Sequence, residues 1–311
     1  MIDGKPAAFI FSSLFGGFLF AILSWAPLAW AEDVDLELVI ATDVSHSIDE
    51  DEALLQRQGV AAAFRSEEVI DAIQGGSLGK IGVAYVDWSI DAFNKIVIDW
   101  LVIEDEESAE AFARALLDTP PSYGQRTSIS GLISLAVQML ETNDLEGNYR
   151  TIDISGDGPN NAGLPLAVIR DKAIADGVTI NGLPILTEDA QYRGRGYFPD
   201  IDKYYVACVI GGRASFALPA RGFQDFAAAI RRKLILEISG VLPQSQFAEI
   251  RPASPPLIRM TADMRTAQAR PTPVRPPTVL RAPPAREQNC DRFGFGGYGG
   301  FGGFGQPDFN R

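Results

Sequence analysis

Three short segments carry the side chains able to do chemistry. Asp43-Val44-Ser45-His46-Ser47 follows the apolar run 36–41. Arg126-Thr127-Ser128 opens a stretch of helical spacing, and Ser155-Gly156-Asp157-Gly158 follows the run 151–154. Asp43, Ser45, Ser47, Thr127 and Asp157 offer carboxylates and hydroxyls and no soft ligand. That donor set suits a hard cation, Mg2+ first, then Mn2+ or Ca2+. Positions 43, 45 and 47 alternate, so an extended loop can turn all three side chains toward one point. Hydroxyls are weak neutral donors, and a metal held by them keeps charge that attracts a carboxylate from another molecule. The same residues also admit a purely structural role, with Asp43 and Ser45 capping the next helix and Asp157 making a turn.

Other chemistry is poorly provided for. His46 is the one histidine. It is adjacent to Ser45 and Ser47 on an extended loop, where neighbours point apart, so a Ser-His-Asp relay does not form; no G-x-S-x-G elbow exists either. His46 is expected to face solvent. The segment 156–161 is similar to the magnesium loop of haloacid-dehalogenase-like phosphatases. That chemistry needs a second Asp two residues after the nucleophile, where Ser45 stands. Trp88, after the second apolar run, is expected to pack. The long polar loop 187–203 carries Tyr192, Arg193, Arg195, Tyr197 and Phe198, residue types that anchor interfaces. It is expected on the metal face, where two arginines favour an acidic partner.

These segments need a scaffold. Apolar runs at 36–41, 81–86, 151–154, 178–186 and 204–210 read as strands, and 95–102 as a further, antiparallel strand at the sheet edge. Helical spacing covers 49–64 with Asp49 as N-cap, 108–117 with Ser108 as cap, 129–140, 164–175 and 223–238. Alternation of strands and helices predicts an α/β fold: three α/β/α layers around a mostly parallel sheet. In such sheets ligands bind beyond the carboxyl ends of the strands, where the three segments fall.

Composition sets the limits. Lys5, the uncharged apolar stretch 7–28 and Ala29-Trp30-Ala31 read as a signal peptide over 1–31, cleaved after Ala31. Export to the periplasm or medium follows, with no stable membrane insertion after cleavage. Residues 32–240 have the composition of one globular domain. The chain holds 40 Asp/Glu against 27 Lys/Arg, a net charge of −13, which repels nucleic acid and anionic membranes. Eleven of the 20 prolines fall in 241–311. Residues 241–292 read as a disordered Pro-rich linker, and 293–311 as a Gly/aromatic low-complexity tail. Of the two cysteines, Cys208 lies in an apolar run and is expected to be a buried free thiol, and Cys290 lies in the tail; export also admits a Cys208–Cys290 bridge tying the tail to the domain, the less favoured alternative.

The motif D-x-S-x-S, a distant Thr, and an Asp-Gly after a strand together resemble the von Willebrand factor A (vWA) domain with its metal-ion-dependent adhesion site (MIDAS), over about 34–238. Within that fold the chain is similar to an uncharacterised family of exported bacterial proteins. The resemblance rests on 126–130, on 151–161 and on Cys208-Val209-Ile210-Gly211-Gly212. It implies that Ser45 and Ser47 ligate directly, that Thr127 joins in ligand-bound states, and that Asp43 and Asp157 act directly or through water. A protein partner, unidentified, would supply a Glu or Asp to the open position. The third loop departs from the family's commoner Thr-Asp-Gly, which leaves Ser155 and Asp157 as rivals for the metal; Asp157 is preferred. The expected function is metal-dependent protein binding or adhesion. A Mg2+-dependent phosphohydrolase and a structural envelope protein with a vestigial site are the alternatives.

Overall fold

Alternation along the strands sorts the core into two layers. Leu36, Leu38 and Ile40 point to one face of the sheet, where they join Phe64, Phe112, Phe226 and Leu234. Val39 and Ala41 point to the other and join Leu132, Ala136, Ile152 and Tyr205. The computed structural model describes residues 31–90, 93–187, 198–240 and 278–281. In chain order its elements are β1 (Glu32–Asp43), α1 (Glu50–Phe64), α2 (Glu67–Gln74), β2 (Ile81–Trp88), β3 (Lys95–Ile103), α3 (Glu106–Asp118) and α4 (Ile129–Thr142). Then follow β4 (Leu145–Gly156), α5 (Leu166–Ala175), β5 (Thr179–Pro184), α6 (Ile201–Tyr204), β6 (Phe216–Ala217), α7 (Phe226–Ser239) and β7 (Leu280–Arg281).

The strand order is β3-β2-β1-β4-β5-β6-β7. β1 pairs in parallel with both β2 and β4, and β4 with β5. β3 is antiparallel to β2 at the edge, as its alternating pattern predicts. Helices α1, α2, α3 and α7 cover one face, and α4, α5 and α6 the other. This is the expected three-layer α/β fold.

β1 is longer than its apolar run because its charged first half is held by specific partners. Asp35 accepts bonds from Ser77 Oγ and from the Leu78 and Gly79 amides. Glu37, buried, accepts from the Asn143 side chain and the Gly147 amide. Short strong ties of this kind let carboxylates sit within a strand that composition alone would end early.

Several expectations are corrected. Residues 204–210 are not a strand. α6 continues into a π-helical turn, Tyr205–Val209, in which the Ile210 amide bonds to the Tyr205 carbonyl at 3.0 Å. Every residue from Tyr204 to Ile210 is buried, so the run carries no periodicity that could tell helix from strand. The sheet position is taken instead by β6, two residues long. Ser108 does not cap α3; Asp105 does, and Ser108 closes the capping box as the third helical residue. Cys208 is not a free thiol but disulfide-bonded; the chain's other cysteine, Cys290, lies outside the described residues. Finally, β7 arises within the stretch expected to be disordered. Leu280 and Arg281 pair antiparallel with β6, and Val279 is fully buried. No helix among the described residues is long and apolar enough to cross a membrane.

Candidate metal centre

The three segments converge at the carboxyl ends of β1 and β4. Asp43 lies beside Trp88 of β2, and Thr42 beside Ser155 of β4. From here the chain continues outward in opposite directions, to β2 on one side and β5 on the other, the kind of switch point where doubly wound sheets place ligands. Trp88 is buried in the core, as expected.

Each loop is pinned by backbone and side-chain bonds. In the first, the Val44 amide continues the pairing to the Trp88 carbonyl at 2.9 Å, and Gln56 Nε2 donates to the Asp43 carbonyl at 3.0 Å. α1 is capped by Asp49, whose side chain accepts from the Glu52 amide while Glu52 accepts from the Asp49 amide. The capping role is therefore filled without Asp43 or Ser45. The second loop is tied to the first by the Gly124 amide on the Val44 carbonyl, 2.7 Å. It is tied to β2 by Ser89, whose Oγ donates to the Arg126 carbonyl and whose carbonyl accepts from the Ser128 amide. The third loop clasps the second through two asparagines. Asn161 Oδ1 accepts from the Thr127 amide at 3.0 Å, and Asn160 Oδ1 accepts from the Ser130 amide at 3.0 Å. The Asn160 amide in turn donates to Tyr204 Oη at 3.1 Å.

With the loops held, four side chains form a continuous polar chain and a fifth joins it through the backbone. Thr127 Oγ1 donates to Ser45 Oγ at 3.4 Å, Ser45 and Ser47 share a hydroxyl contact at 3.2 Å, and Ser47 Oγ donates to Asp157 Oδ1 at 2.6 Å. Asp43 Oδ1 accepts the Ser45 amide at 2.8 Å. All five residues singled out in the sequence thus lie in one cluster. Ser155 does not compete for this position: its Oγ donates to the Ala41 carbonyl at 3.3 Å, within the sheet. His46 is exposed, as expected.

The electrostatics of the cluster are those of carboxylates short of a counter-charge. Asp43 is fully buried, and Asp157 is 8% exposed. Burial raises the Asp43 carboxyl well above the usual range, and the charge of Asp157 adds to this. Burial also pushes Asp157 up to about 6, against the hydrogen bond from Ser47. Asp43 Oδ2 is buried with no hydrogen-bond partner. An orphaned buried carboxylate oxygen costs free energy. A cation bound among these oxygens would relieve both the orphan and the repulsion, so the donor set fits a hard divalent ion. Among the described residues no three His, Cys, Asp or Glu side chains gather as a metal cage, so the site is marked by its hydroxyls rather than by a carboxylate cluster.

A family model described as a protein of unknown function, DUF1194, matches residues 33–242. The chain belongs to the DUF1194 family. No curated protein matches this DUF1194 chain. Among solved structures it is similar to proximal thread matrix protein 1 from the mussel byssus, at 18% identity and a TM-score of 0.48, covering 67% of this chain and 49% of that one. The chain thus spans about half the length of the first solved structures it matches. A von Willebrand factor type A structure from Catenulispora acidiphila matches at 17% identity and a TM-score of 0.46, over 66% of this chain and 43% of that one. The conserved hypothetical protein BatB from Bacteroides thetaiotaomicron matches at 16% identity and a TM-score of 0.40, over 66% and 100%.

The supporting residues were mostly invisible in the DUF1194 sequence. Gln56, Ser89 and Tyr204 stand outside the motif and have no fixed spacing from it. Asn160 and Asn161 could be read as loop-shaping, but their target, the Thr127 segment, required the fold. Of the long polar loop 187–203, Tyr192, Arg193, Arg195 and Tyr197 lie outside the described residues. Phe198 is half-buried and meets Tyr204 edge-on at 5.9 Å. A cavity of about 320 Å3 opens between Leu186–Thr187 and 198–203, with Asp200 and Asp202 in its wall.

Proposed function

We propose that this chain is a metal-dependent protein-binding module in which Asp43, Ser45, Ser47, Thr127 and Asp157 hold Mg2+, with Mn2+ or Ca2+ as substitutes. The observation that carries this is the unbroken chain of side-chain contacts from Thr127 to Asp157, with Asp43 held on the Ser45 amide beside it and one of its oxygens orphaned. When bound, the ion supplies Lewis acidity toward an outside carboxylate. The chain's own residues orient it: Ser45 and Ser47 through a loop locked to β2, Thr127 through Asn161, and Asp157 through Ser47. With the three hydroxyls as neutral direct donors and a carboxylate acting through water, the ion would keep electrophilic character toward an acidic group on a partner protein.

The module is read as non-enzymatic, because Ser45 occupies the position where a phosphohydrolase of the haloacid-dehalogenase type needs its second acid. The apolar stretch before Ala31 supports export to the periplasm or medium, and a disulfide at Cys208 suits an oxidising compartment. The test is calorimetric titration of Mg2+ and Mn2+ into the full chain, with Asp43→Ala and Ser45→Ala alongside, without and with acetate as a carboxylate probe. Binding by the wild type alone, tightened by acetate, is the expected result. Equal heats from all three proteins, or turnover of an aryl phosphate that depends on Asp43, would refute it.

A further inference from the structure

Tyr205 is buried, and its hydroxyl has no hydrogen-bond partner. It begins the π-helical turn, a distortion frequently found at functional sites. Its ring lies over one strand glycine and its hydroxyl over another. A β-carbon added at Gly182 of β5 would meet the Tyr205 ring at 2.5 Å. One added at Gly156 of β4 would meet Tyr205 Oη at 3.0 Å and Asp43 Oδ2 at 2.8 Å. Glycine inside a strand weakens it and marks a place where something must approach closely. Here two neighbouring strands each leave out a side chain, and the phenol crosses that gap toward β1. The two oxygens that flank the empty side-chain position of Gly156 are both orphans: Asp43 Oδ2 is the site's unpaired acceptor, and Tyr205 Oη is an unpaired donor.

We infer that Tyr205 is a positioning residue of the metal site: once the ion is bound, its phenol donates to Asp43 Oδ2 through one water and fixes the rotation of that carboxylate, a bond that the metal-free chain does not make. This rests on the metal-binding reading. A carboxylate oxygen has more than one lone-pair direction, so the bond to Tyr205 leaves Asp43 able to serve a cation as well. The arrangement also accounts for the Gly in Ser155-Gly156-Asp157: any side chain there would occupy the space between the two oxygens.

The test compares the full wild-type chain, Tyr205→Phe and Asp43→Ala by Mg2+ and Mn2+ calorimetry, with near-ultraviolet difference spectra recorded during the titrations. Removing an unpaired buried hydroxyl is close to neutral for a metal-free fold, so the unfolding midpoint of Tyr205→Phe in chelator should match the wild type. Its metal affinity should fall about tenfold, the loss of one charge-assisted bond. The wild type should show a tyrosine difference signal on metal addition that Tyr205→Phe lacks. Wild-type affinity in Tyr205→Phe, with binding abolished in Asp43→Ala, overturns the role of Tyr205 and leaves the metal site standing. Absence of metal binding by the wild type overturns the site and this inference together. A Tyr205→Phe midpoint well below the wild type in chelator makes the residue structural and also overturns the inference.

Discussion

Ser47 Oγ donates to Asp157 Oδ1 at 2.6 Å across 110 residues of sequence. This one bond closes the first loop onto the third and gives the buried Asp157 carboxylate its side-chain donor. Ser47→Ala leaves that carboxylate oxygen without the donor, which costs about 1–3 kcal/mol. The expected outcome is a lowered unfolding midpoint in chelator, together with weaker Mg2+ binding by calorimetry. Ser47→Thr, which keeps the hydroxyl, should recover most of both.

A second prediction concerns how the middle loop is delivered. Arg57 of α1 and Asp87 of β2 form a fully buried ion pair at 2.6 Å. Arg57 also donates to the carbonyls of Leu116 and Thr119, and Asp87 accepts the Ser122 amide. The pair thus anchors the segment that leads from α3 to Gly124 and Thr127. Removing one partner strands the other charge in the core, which costs about 3–5 kcal/mol. Asp87→Ala or Arg57→Met should therefore lower the denaturant midpoint strongly. The double variant Arg57→Met with Asp87→Ala should cost less than the sum of the two single changes. Additive losses would show that the two residues act independently.

The five clustered side chains were legible in the sequence because they are local. Each follows an apolar run or opens a helix, and the parallel α/β pattern places such ends on one edge. The residues that hold them were not, because they act across the fold. Asn161 reaches Thr127 over 34 positions, and Tyr205 lies near Asp43 only through the order β1-β4-β5. The π-helical turn was misread because a run buried on every side has no polar face to mark its period. β7 was missed because two paired residues inside a proline-rich stretch leave no pattern at all. The disulfide at Cys208 is the less favoured reading of the sequence for a related reason: an apolar neighbourhood argues for burial, and burial is compatible with either redox state.

That disulfide gives a third prediction. Cross-links of this kind in exported domains are worth about 2–5 kcal/mol. Treating the full chain with a phosphine reductant should lower its melting temperature, and Cys208→Ser should reproduce the reduced value. If reduction leaves the melting temperature unchanged, the bond contributes nothing to the stability of the folded domain.

A fourth concerns pH. Lys233 of α7 is fully buried between Asp153 of β4, at 2.6 Å, and Glu237, at 2.5 Å, and Asn181 Nδ2 donates to Glu237 Oε1 at 2.7 Å. One ammonium serves two carboxylates, and Glu237 Oε2 has no partner. Burial, then the charge of Asp153, pushes Glu237 up to about 8, above its ordinary 4.5. Between those two values the folded chain holds a proton that the unfolded chain releases. Stability from this group is therefore fully present below about 4.5 and is lost as pH rises through about 8, at a limiting slope of about 1.4 kcal/mol per pH unit. Glu237→Gln keeps the acceptor for Lys233 and Asn181 but cannot ionise. Denaturant midpoints of wild type and Glu237→Gln, measured in chelator at pH 5.5, 7 and 8.5, should diverge toward high pH, with the variant holding its stability better. Parallel curves would mean that the second carboxylate is accommodated as an anion and that the core carries a net negative charge beneath the site.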